Sequence, residues 1–332
     1  MSKRQFWMKA HIYIGTLLIL PLLVIAPTGI LLGFYDQIRY GQAPYRLNQP
    51  ATQVLAPSQL AARVQAAYPD ARLEILYLPM APERAARAKL SGAGGARMAF
   101  LDPATGQTLA LKPAAEEDWL DFLYHLHRGK PLGLTGQIMA STTGVLVLLL
   151  WLAGLWLWWP KRHVARPWKA GSPRARLLGF HRWLGLWLGG LLVLLALAGA
   201  LLNFAGPLGK AFNPPPRAEA VEQSSLLPLA HIVARAERAY PAAPVERIYF
   251  PKAGGALWQF RFRDGGRVFV SAASGQVLKV DTPFSHWTNL LYPLHSGRVF
   301  GENGPRLIAI LGLGLLASAV SGLAFWRRIP RK

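Results

Sequence analysis

Four long apolar runs dominate the hydrophobic pattern of the chain. They cover residues 12–34, 137–159, 177–204 and 307–326. Each run reaches the roughly 20 residues that an α-helix needs to cross a bilayer, so the pattern predicts four transmembrane helices. The first run is longer than the apolar core of a typical signal peptide, and no small-x-small cleavage site follows it closely, so we interpret it as an anchor.

The two polar segments between these runs have the patterns of small soluble modules. In residues 45–116 an amphipathic helix precedes four short period-2 runs separated by turns, and residues 213–283 repeat that order. The helix ends in Ala-Tyr-Pro in both copies, at Tyr68 and at Tyr240. Each segment is therefore predicted to be an α+β module. Four aromatic residues are candidates for a ligand surface, although period-2 core packing explains them equally well: Tyr77, Tyr249, Trp258 and Phe262.

The chain is an internal duplication. Residues 8–34 align without a gap on residues 178–204, which places His11 on His181. The pattern W-x3-L-Y-x-L-H-x-G begins at residue 119 and again at residue 287, which places His127 on His295. The predicted fold class is an α-helical integral membrane protein with four transmembrane helices in two tandem repeats, each carrying an α+β module.

The repeat divides the sequence into segments of recognisable type. Each copy contains a span, a module, and an L-H-x-G element that leads into a second span, and a basic loop joins the copies. The predicted segments are 1–36 (first span), 45–116 (first module), 119–160 (element and second span), 161–176 (basic loop), 177–204 (third span), 213–283 (second module) and 286–328 (element and fourth span).

Composition and charge agree with a membrane protein. Hydrophobic residues make up 52% of the chain and charged residues 16%, which is too apolar for an ordinary soluble protein of this length. The net charge of +21 does not indicate nucleic acid, because the cations cluster at the ends of the apolar runs and no nucleic-acid-binding motif accompanies them. The positive-inside rule places both termini and the basic loop in the cytoplasm, and both modules outside.

The paired histidines are the candidate chemistry. With an even number of spans per copy, the pseudo-twofold axis lies along the membrane normal. His11 then meets His181 near the cytoplasmic face, and His127 meets His295 near the outer face. Two imidazoles on opposite sides suit the trans axial positions of an iron porphyrin, whereas zinc requires further ligands. We therefore predict two haem groups with these four histidines as axial ligands.

Residues around the histidines add to this hypothesis. The chain contains no cysteine, which excludes covalent c-type haem, thiolate-held iron-sulfur clusters and disulfides. Arg182, Arg128 and Arg298 are candidates for neutralising haem propionates, and interfacial anchoring is the alternative for each. Gly15 and Gly185 follow the first two histidines by four residues on the same helix face, where a cofactor would approach the backbone.

These motifs carry a family resemblance over essentially the whole chain. The stretch HRWLGLWLGG, the twin L-H-x-G elements, the two Ala-Tyr-Pro helices and the basic C-terminal tail resemble PepSY-associated transmembrane helix proteins. That family includes iron-regulated membrane proteins and inner-membrane siderophore reductases. The resemblance implies a multi-pass protein of the bacterial inner membrane, with two periplasmic PepSY modules and haem b that passes electrons outward to a periplasmic ferrisiderophore.

The resemblance also sets expectations for partners and alternatives. No fused flavin or nicotinamide reductase domain is recognisable up to Lys332, so the expected electron donor is separate, either a quinol or a cytosolic reductase that docks on the basic loop. PepSY modules are also linked to restraint of proteases, which leaves a regulatory membrane protein without redox activity as the alternative. Siderophore transport is disfavoured because the spans offer no polar or ionic site at mid-membrane depth.

Overall fold

The computed structural model describes residues 1–159, 171–217, 227–252 and 255–327. The chain divides into two compact units. The helix unit comprises Met1–Tyr35, Asp118–Leu208 and Leu290–Lys332, and the sheet unit comprises Asp36–Glu117 and Gly209–Asn289. Most of the predicted basic loop, up to residue 170, lies outside the described residues, as does the end of the basic C-terminal tail.

The described helices follow the predicted apolar and amphipathic runs. Short 3₁₀ turns at Lys130–Leu132 and Arg298–Asn303 lead into the helices that begin at residues 133 and 304. The α-helices are α1 (Lys3–Gly33), α2 (Tyr35–Arg39), α3 (Pro57–Ala67), α4 (Trp119–His127), α5 (Gly133–Trp158), α6 (Pro173–Trp187), α7 (Gly189–Leu202), α8 (Ala205–Phe212), α9 (Leu229–Ala239), α10 (Trp287–His295) and α11 (Gly304–Arg327).

Helices long and apolar enough to cross a membrane are present in the helix unit. Lys3–Gly33, Lys130–Trp158 and Trp287–Trp326 each meet that requirement, and only 22–28% of the residues in their most apolar stretches are buried inside the protein. The helix pair α6 and α7 meets it only if the two are counted together as one span. The protein is therefore a membrane protein with three candidate spans among the described residues, or four with this bent pair.

The third apolar run is not the single straight helix that its pattern predicts. It breaks at Leu188, and α6 and α7 are inclined by 62°. The indole Nε1 of Trp151 donates a hydrogen bond to the carbonyl of Gly185 at 2.9 Å. That carbonyl would otherwise accept from the amide of Gly189, where an added Cβ would overlap the same indole. A side chain inserted into the hydrogen-bond ladder at a glycine explains the kink.

The sheet unit contains all the predicted strands and the two amphipathic helices. Its antiparallel strands lie in the order β4-β3-β2-β1-β5-β6-β7-β8. The strands are β1 (Arg72–Tyr77), β2 (Ala86–Gly92), β3 (Gly95–Leu101), β4 (Thr108–Pro113), β5 (Val245–Tyr249), β6 (Leu257–Phe262), β7 (Arg267–Ser271) and β8 (Val277–Asp281). The predicted strand and helix pattern of both modules is confirmed.

The two modules share one sheet and one core, which the sequence pattern did not predict. Strand β1 of the first repeat pairs with β5 of the second, with Leu76 opposite Ile248. Both side chains are fully buried, and they belong to the same apolar cluster as Leu60 of α3 and Ile232 of α9. Because strand pairing and apolar burial both cross the repeat boundary, each repeat stabilises the other.

This shared core predicts a long-range effect of one substitution. Ile248→Ala removes a fully buried side chain at the junction and should lower the stability of the sheet by about 2–5 kcal/mol. Amide hydrogen exchange of the full chain should then rise in Ala86–Gly92 of the first repeat as well as in the second. The matched control is Val280→Ala at the exposed side of edge strand β8, where 40% of the side chain is accessible. A rise confined to the second repeat would contradict the shared core.

Candidate functional site

The helix unit brings the four sequence-predicted histidines together in two pairs. The ring centres of His11, in α1, and His181, in α6, are 6.0 Å apart. The ring centres of His127 and His295, the last residues of α4 and α10, are 5.9 Å apart. Each pair therefore combines one imidazole from each repeat.

The backbone conformation explains why the L-H-x-G element ends in glycine. The glycines two residues after His127 and His295, Gly129 and Gly297, have φ values of 74° and 76°. This left-handed conformation ends a helix at low cost only when the residue is glycine. The chain can therefore stop α4 and α10 directly after the histidines and turn into the next span.

Helix carbonyls hold the histidine rings through Nδ1. His127 Nδ1 lies 3.0 Å from the carbonyl oxygen of Ile25 in α1, and His295 Nδ1 lies 2.8 Å from that of Leu195 in α7. The positions of these two carbonyls correspond in the repeat. An acceptor at Nδ1 assigns the proton to that nitrogen and leaves Nε2 unprotonated.

The pair at the other level repeats this arrangement. His181 Nδ1 lies 2.9 Å from the carbonyl oxygen of Ser318 in α11. The corresponding carbonyl in the first repeat belongs to Leu150 in α5. It is the backbone group that interacts with His11. The geometry there is poorer, because the buried Nδ1 of His11 makes no hydrogen bond of normal geometry with the described residues.

A glycine lies under every one of these rings, four residues after the carbonyl. Residues four apart share a helix face, so the carbonyl and the glycine are neighbours on the helix surface, and we call the two together an imidazole seat. An added Cβ would lie 3.0 Å from Cε1 of His127 at Gly29, 3.1 Å from Cε1 of His181 at Gly322 and 3.4 Å from Cε1 of His11 at Gly154. At Gly199 it would overlap the ring of His295.

The glycines that the sequence pattern singled out differ from these seat glycines. An added Cβ at Gly185 would meet no atom within 4 Å, and one at Gly15 would meet only Leu150, at 3.9 Å. Gly29 and Gly199 were visible in the repeat alignment as matched positions. Their contact with histidines was not predictable, because it requires knowing which helix faces which.

The two pairs lie at different levels of the helix unit. Along α1, His11 precedes the seat carbonyl of Ile25 by 14 residues, and the helical rise converts this into about 21 Å. No group of three or more His, Cys, Asp or Glu side chains suited to a metal ion occurs among the described residues. Each level therefore offers two facing imidazoles rather than a polydentate cage.

The three arginines that are candidates for neutralising propionates differ in their surroundings. The Nε of Arg128 donates to Asn203 Oδ1 at 3.1 Å, and its guanidinium also donates to the hydroxyl of Tyr124 at 2.9 Å. The guanidinium of Arg298 lies 5.2 Å from the ring centre of Tyr292, which is the repeat counterpart of Tyr124. Arg182 is exposed beside His181. Arg128 and Arg298 are thus held over equivalent tyrosines at the level of the His127–His295 pair.

Asn203 is a polar residue that the sequence analysis did not single out. Its amide donates to Ser141 Oγ at 3.1 Å and to the carbonyl of Gln137 at 3.2 Å. With Arg128, it forms a hydrogen-bonded network between the ends of α5 and α7. Polar groups inside a membrane protein are stable when they satisfy one another in this way.

The remaining candidates separate into core and surface roles. In the sheet unit, Trp258 and Phe262 are buried in the shared core, as period-2 packing predicts. Tyr77 lies on the opposite face, with the guanidinium of Arg87 4.6 Å from its ring centre. Burial raises the pKa of Tyr77 above its ordinary value, so the phenol stays protonated at neutral pH.

Comparison with known protein families gives a match over nearly the whole chain. A family model described as PepSY-associated TM region matches residues 8–328, which is nearly the whole chain and includes all four paired histidines. No curated protein matches the chain.

The imidazole seats predict a specific interaction between a glycine and a histidine. Gly199→Ala should lower the midpoint of thermal unfolding of the full chain by about 2–4 °C, because the new methyl group overlaps His295. In the double variant with His295→Ala the overlap is gone, so the two effects should not add.

Gly190→Ala, in the same helix, is the matched control. Its methyl group would make an ordinary contact with Trp151 at 3.8 Å and gain the same helix propensity. Additive effects of Gly199→Ala and His295→Ala, or equal behaviour of the two glycine variants, would contradict the seat.

Proposed function

The chain belongs to the PepSY-associated TM region family, and on that premise we propose that it is a dihaem b-type electron-transfer protein. It spans the bacterial inner membrane four times, with α6 and α7 together as the third span, and carries its PepSY sheet unit in the periplasm. Electrons pass from the cytoplasmic side or the quinol pool to a periplasmic ferric substrate, a ferrisiderophore, so the protein acts as a ferric reductase in iron uptake.

The separation of the paired imidazoles is the observation that carries this proposal. A metal–imidazole bond is about 2 Å long and the bound nitrogen lies about 1 Å from the ring centre, so two facing imidazoles that shared one iron would have ring centres about 6 Å apart. The two pairs are separated by 6.0 Å and 5.9 Å. At each level, the two histidines present would therefore fit as ligands that hold one iron between them.

The seats support the same assignment through the choice of ring nitrogen. A metal-binding histidine usually donates its second ring N–H to a carbonyl, which fixes the ring orientation and the tautomer. Ile25, Leu195 and Ser318 provide such carbonyls for three of the four histidines. Each seat glycine lets the Cε1 edge of the ring approach the backbone of a neighbouring helix closely, so rotation about the side-chain bonds is restricted before any cofactor binds.

The chain's own residues divide the work between holding the cofactor and setting its surroundings. When bound, haem supplies one-electron chemistry that no side chain here provides. The four histidines would hold the iron, and the apolar spans would keep water away. Arg128 and Arg298, already oriented over tyrosines, are the proposed partners of propionates at the outer level, and Arg182 at the inner level.

The distance between the two histidine pairs suits electron transfer across a membrane. The two levels lie about 21 Å apart along α1, within a hydrocarbon layer roughly 30 Å thick. The cationic residues Lys3, Arg4 and Lys9 precede His11, and the positive-inside rule therefore puts the His11–His181 pair at the cytoplasmic side. An electron donor, either a quinol or a reductase that docks on the basic loop, would reach that pair first.

Absorption spectra of the purified full chain test the proposal. Wild-type protein from haem-replete cells should show low-spin haem in oxidised and reduced forms, with about two haems per chain. His181→Ala and His295→Ala should each remove about half of the absorbance, because each destroys one pair of ligands.

His125→Ala is the matched control, since His125 lies two residues from His127 and has no histidine counterpart in the second repeat. It should retain both haems. Colourless wild-type protein would overturn the proposal and favour the regulatory alternative. Full haem content in His181→Ala and His295→Ala would remove these histidines from the site.

A further inference from the structure

For each pair of histidines, the two imidazole seats differ in the residue directly before the seat glycine. At the His11–His181 level the seats contain Ala153 and Ser321, and at the His127–His295 level they contain Thr28 and Ala198. One seat of each pair therefore carries a hydroxyl group and the other carries a methyl group. This difference breaks the repeat symmetry at the position next to the seat glycine.

Thr28 places its hydroxyl directly against the imidazole of His127. The Oγ1 atom lies 3.0 Å from His127 Nδ1, and its proton is shared between the carbonyls of Val24, at 2.7 Å, and Ile25, at 3.1 Å. With the hydroxyl proton used there, the oxygen faces the ring as an acceptor. Thr28 is buried, with 6% of its surface accessible, so water does not compete strongly for this contact.

His127 consequently has two acceptors for its Nδ1 proton, the carbonyl of Ile25 and the hydroxyl of Thr28. His295 bonds the carbonyl of Leu195 at 2.8 Å, and the position equivalent to Thr28 is Ala198, which has no acceptor. The two imidazoles that face each other are therefore not chemically equal.

The hydroxyl at the other level shares one contact with Thr28 and lacks another. Ser321 Oγ donates to the carbonyl of Ser318 at 3.1 Å, the same carbonyl that holds His181, just as Thr28 donates to the carbonyl of Ile25 at 3.1 Å. Among the described residues, however, no hydrogen bond joins Ser321 Oγ to the ring of His181. Ser318 Oγ lies 3.5 Å from His181 Nδ1, at the outer limit of a hydrogen bond. Ser321 is therefore a natural control for Thr28.

We propose that Thr28 is a positioning residue that makes His127 a stronger hydrogen-bond donor at Nδ1, and a more electron-rich ligand at Nε2, than His295. Stronger donation from the second ring nitrogen raises the basicity of a metal-binding imidazole. A more basic axial ligand stabilises ferric over ferrous iron and lowers the reduction potential of that site. The effect on potential rests on the proposed function, whereas the inequality of the two imidazoles is a property of the chain alone.

Redox titration of the haem-loaded full chain tests the effect on the iron. The component that disappears in His295→Ala identifies the outer site. Thr28→Ala should shift its reduction equilibrium by about threefold to tenfold toward the reduced form, the range of one neutral hydrogen bond. At 59 mV per tenfold for one electron, the potential rises by about 28 to 59 mV.

Three further variants separate this effect from general damage. Thr28→Ser keeps the acceptor and should restore the wild-type potential. Ala198→Ser adds an acceptor beside His295 and should lower the potential. Ser321→Ala should leave the outer site unchanged. An outer-site potential that is the same in wild-type protein, Thr28→Ala and Ala198→Ser would overturn the inference.

Nitrogen-15 NMR of histidine-labelled, haem-free full chain tests the imidazoles without the cofactor. The Nδ1 proton of His127 should resonate further downfield than that of His295, and the difference should disappear in Thr28→Ala and return in Thr28→Ser. Equal shifts for both histidines in wild-type protein would overturn the inference. If the protein binds no haem, the proposed function fails, and this measurement still decides the role of Thr28.

Discussion

A buried imidazole N–H inside a bilayer needs an acceptor, and this requirement organises the helix unit. Water is absent from the hydrocarbon layer, so an unsatisfied polar group there is costly. Helix carbonyls are the most abundant acceptors, but they already bond within their own helix. A glycine four residues later opens the helix surface enough for an imidazole to reach the carbonyl from the side. The seats at Gly29, Gly199 and Gly322 are versions of this one solution, and Gly154 provides the same opening beside His11 without a hydrogen bond of normal geometry at Nδ1 among the described residues.

The seats also explain the arrangement of the spans. His127 binds α1, and His295 binds α7, so each short helix α4 or α10 is attached to the span that begins its own repeat. His181 binds α11, the span that ends its own repeat. Each seat contact therefore lies within one repeat, whereas each imidazole pair joins the two repeats. The hydrogen bond from Nδ1 thus connects helices within one repeat, whereas the contact between the two rings of a pair connects the repeats.

Much of the fold was predictable from periodicity and duplication, because both are local or linear properties. Apolar runs, period-2 strands and the offset between copies placed the helices, the strands and the histidines His11, His127, His181 and His295. The bend at Leu188 was not predictable, since it depends on Trp151 reaching a carbonyl of another helix. The pairing of β1 with β5 was also not predictable, because the sequence of one strand does not indicate which distant strand it pairs with. The role of Thr28 depends on a contact with a residue 99 positions away.

The pairing of β1 with β5 determines whether the two repeats can be produced as separate chains. Each of these strands would be a bare edge if its repeat stood alone, with unpaired amides and carbonyls beside apolar side chains such as Leu76 and Ile248. Bare edges of that kind recruit other strands and lead to aggregation. Fusion of the two copies in one polypeptide keeps the complementary edges at high effective concentration. A split into separately made halves would therefore lower the solubility of the sheet unit first.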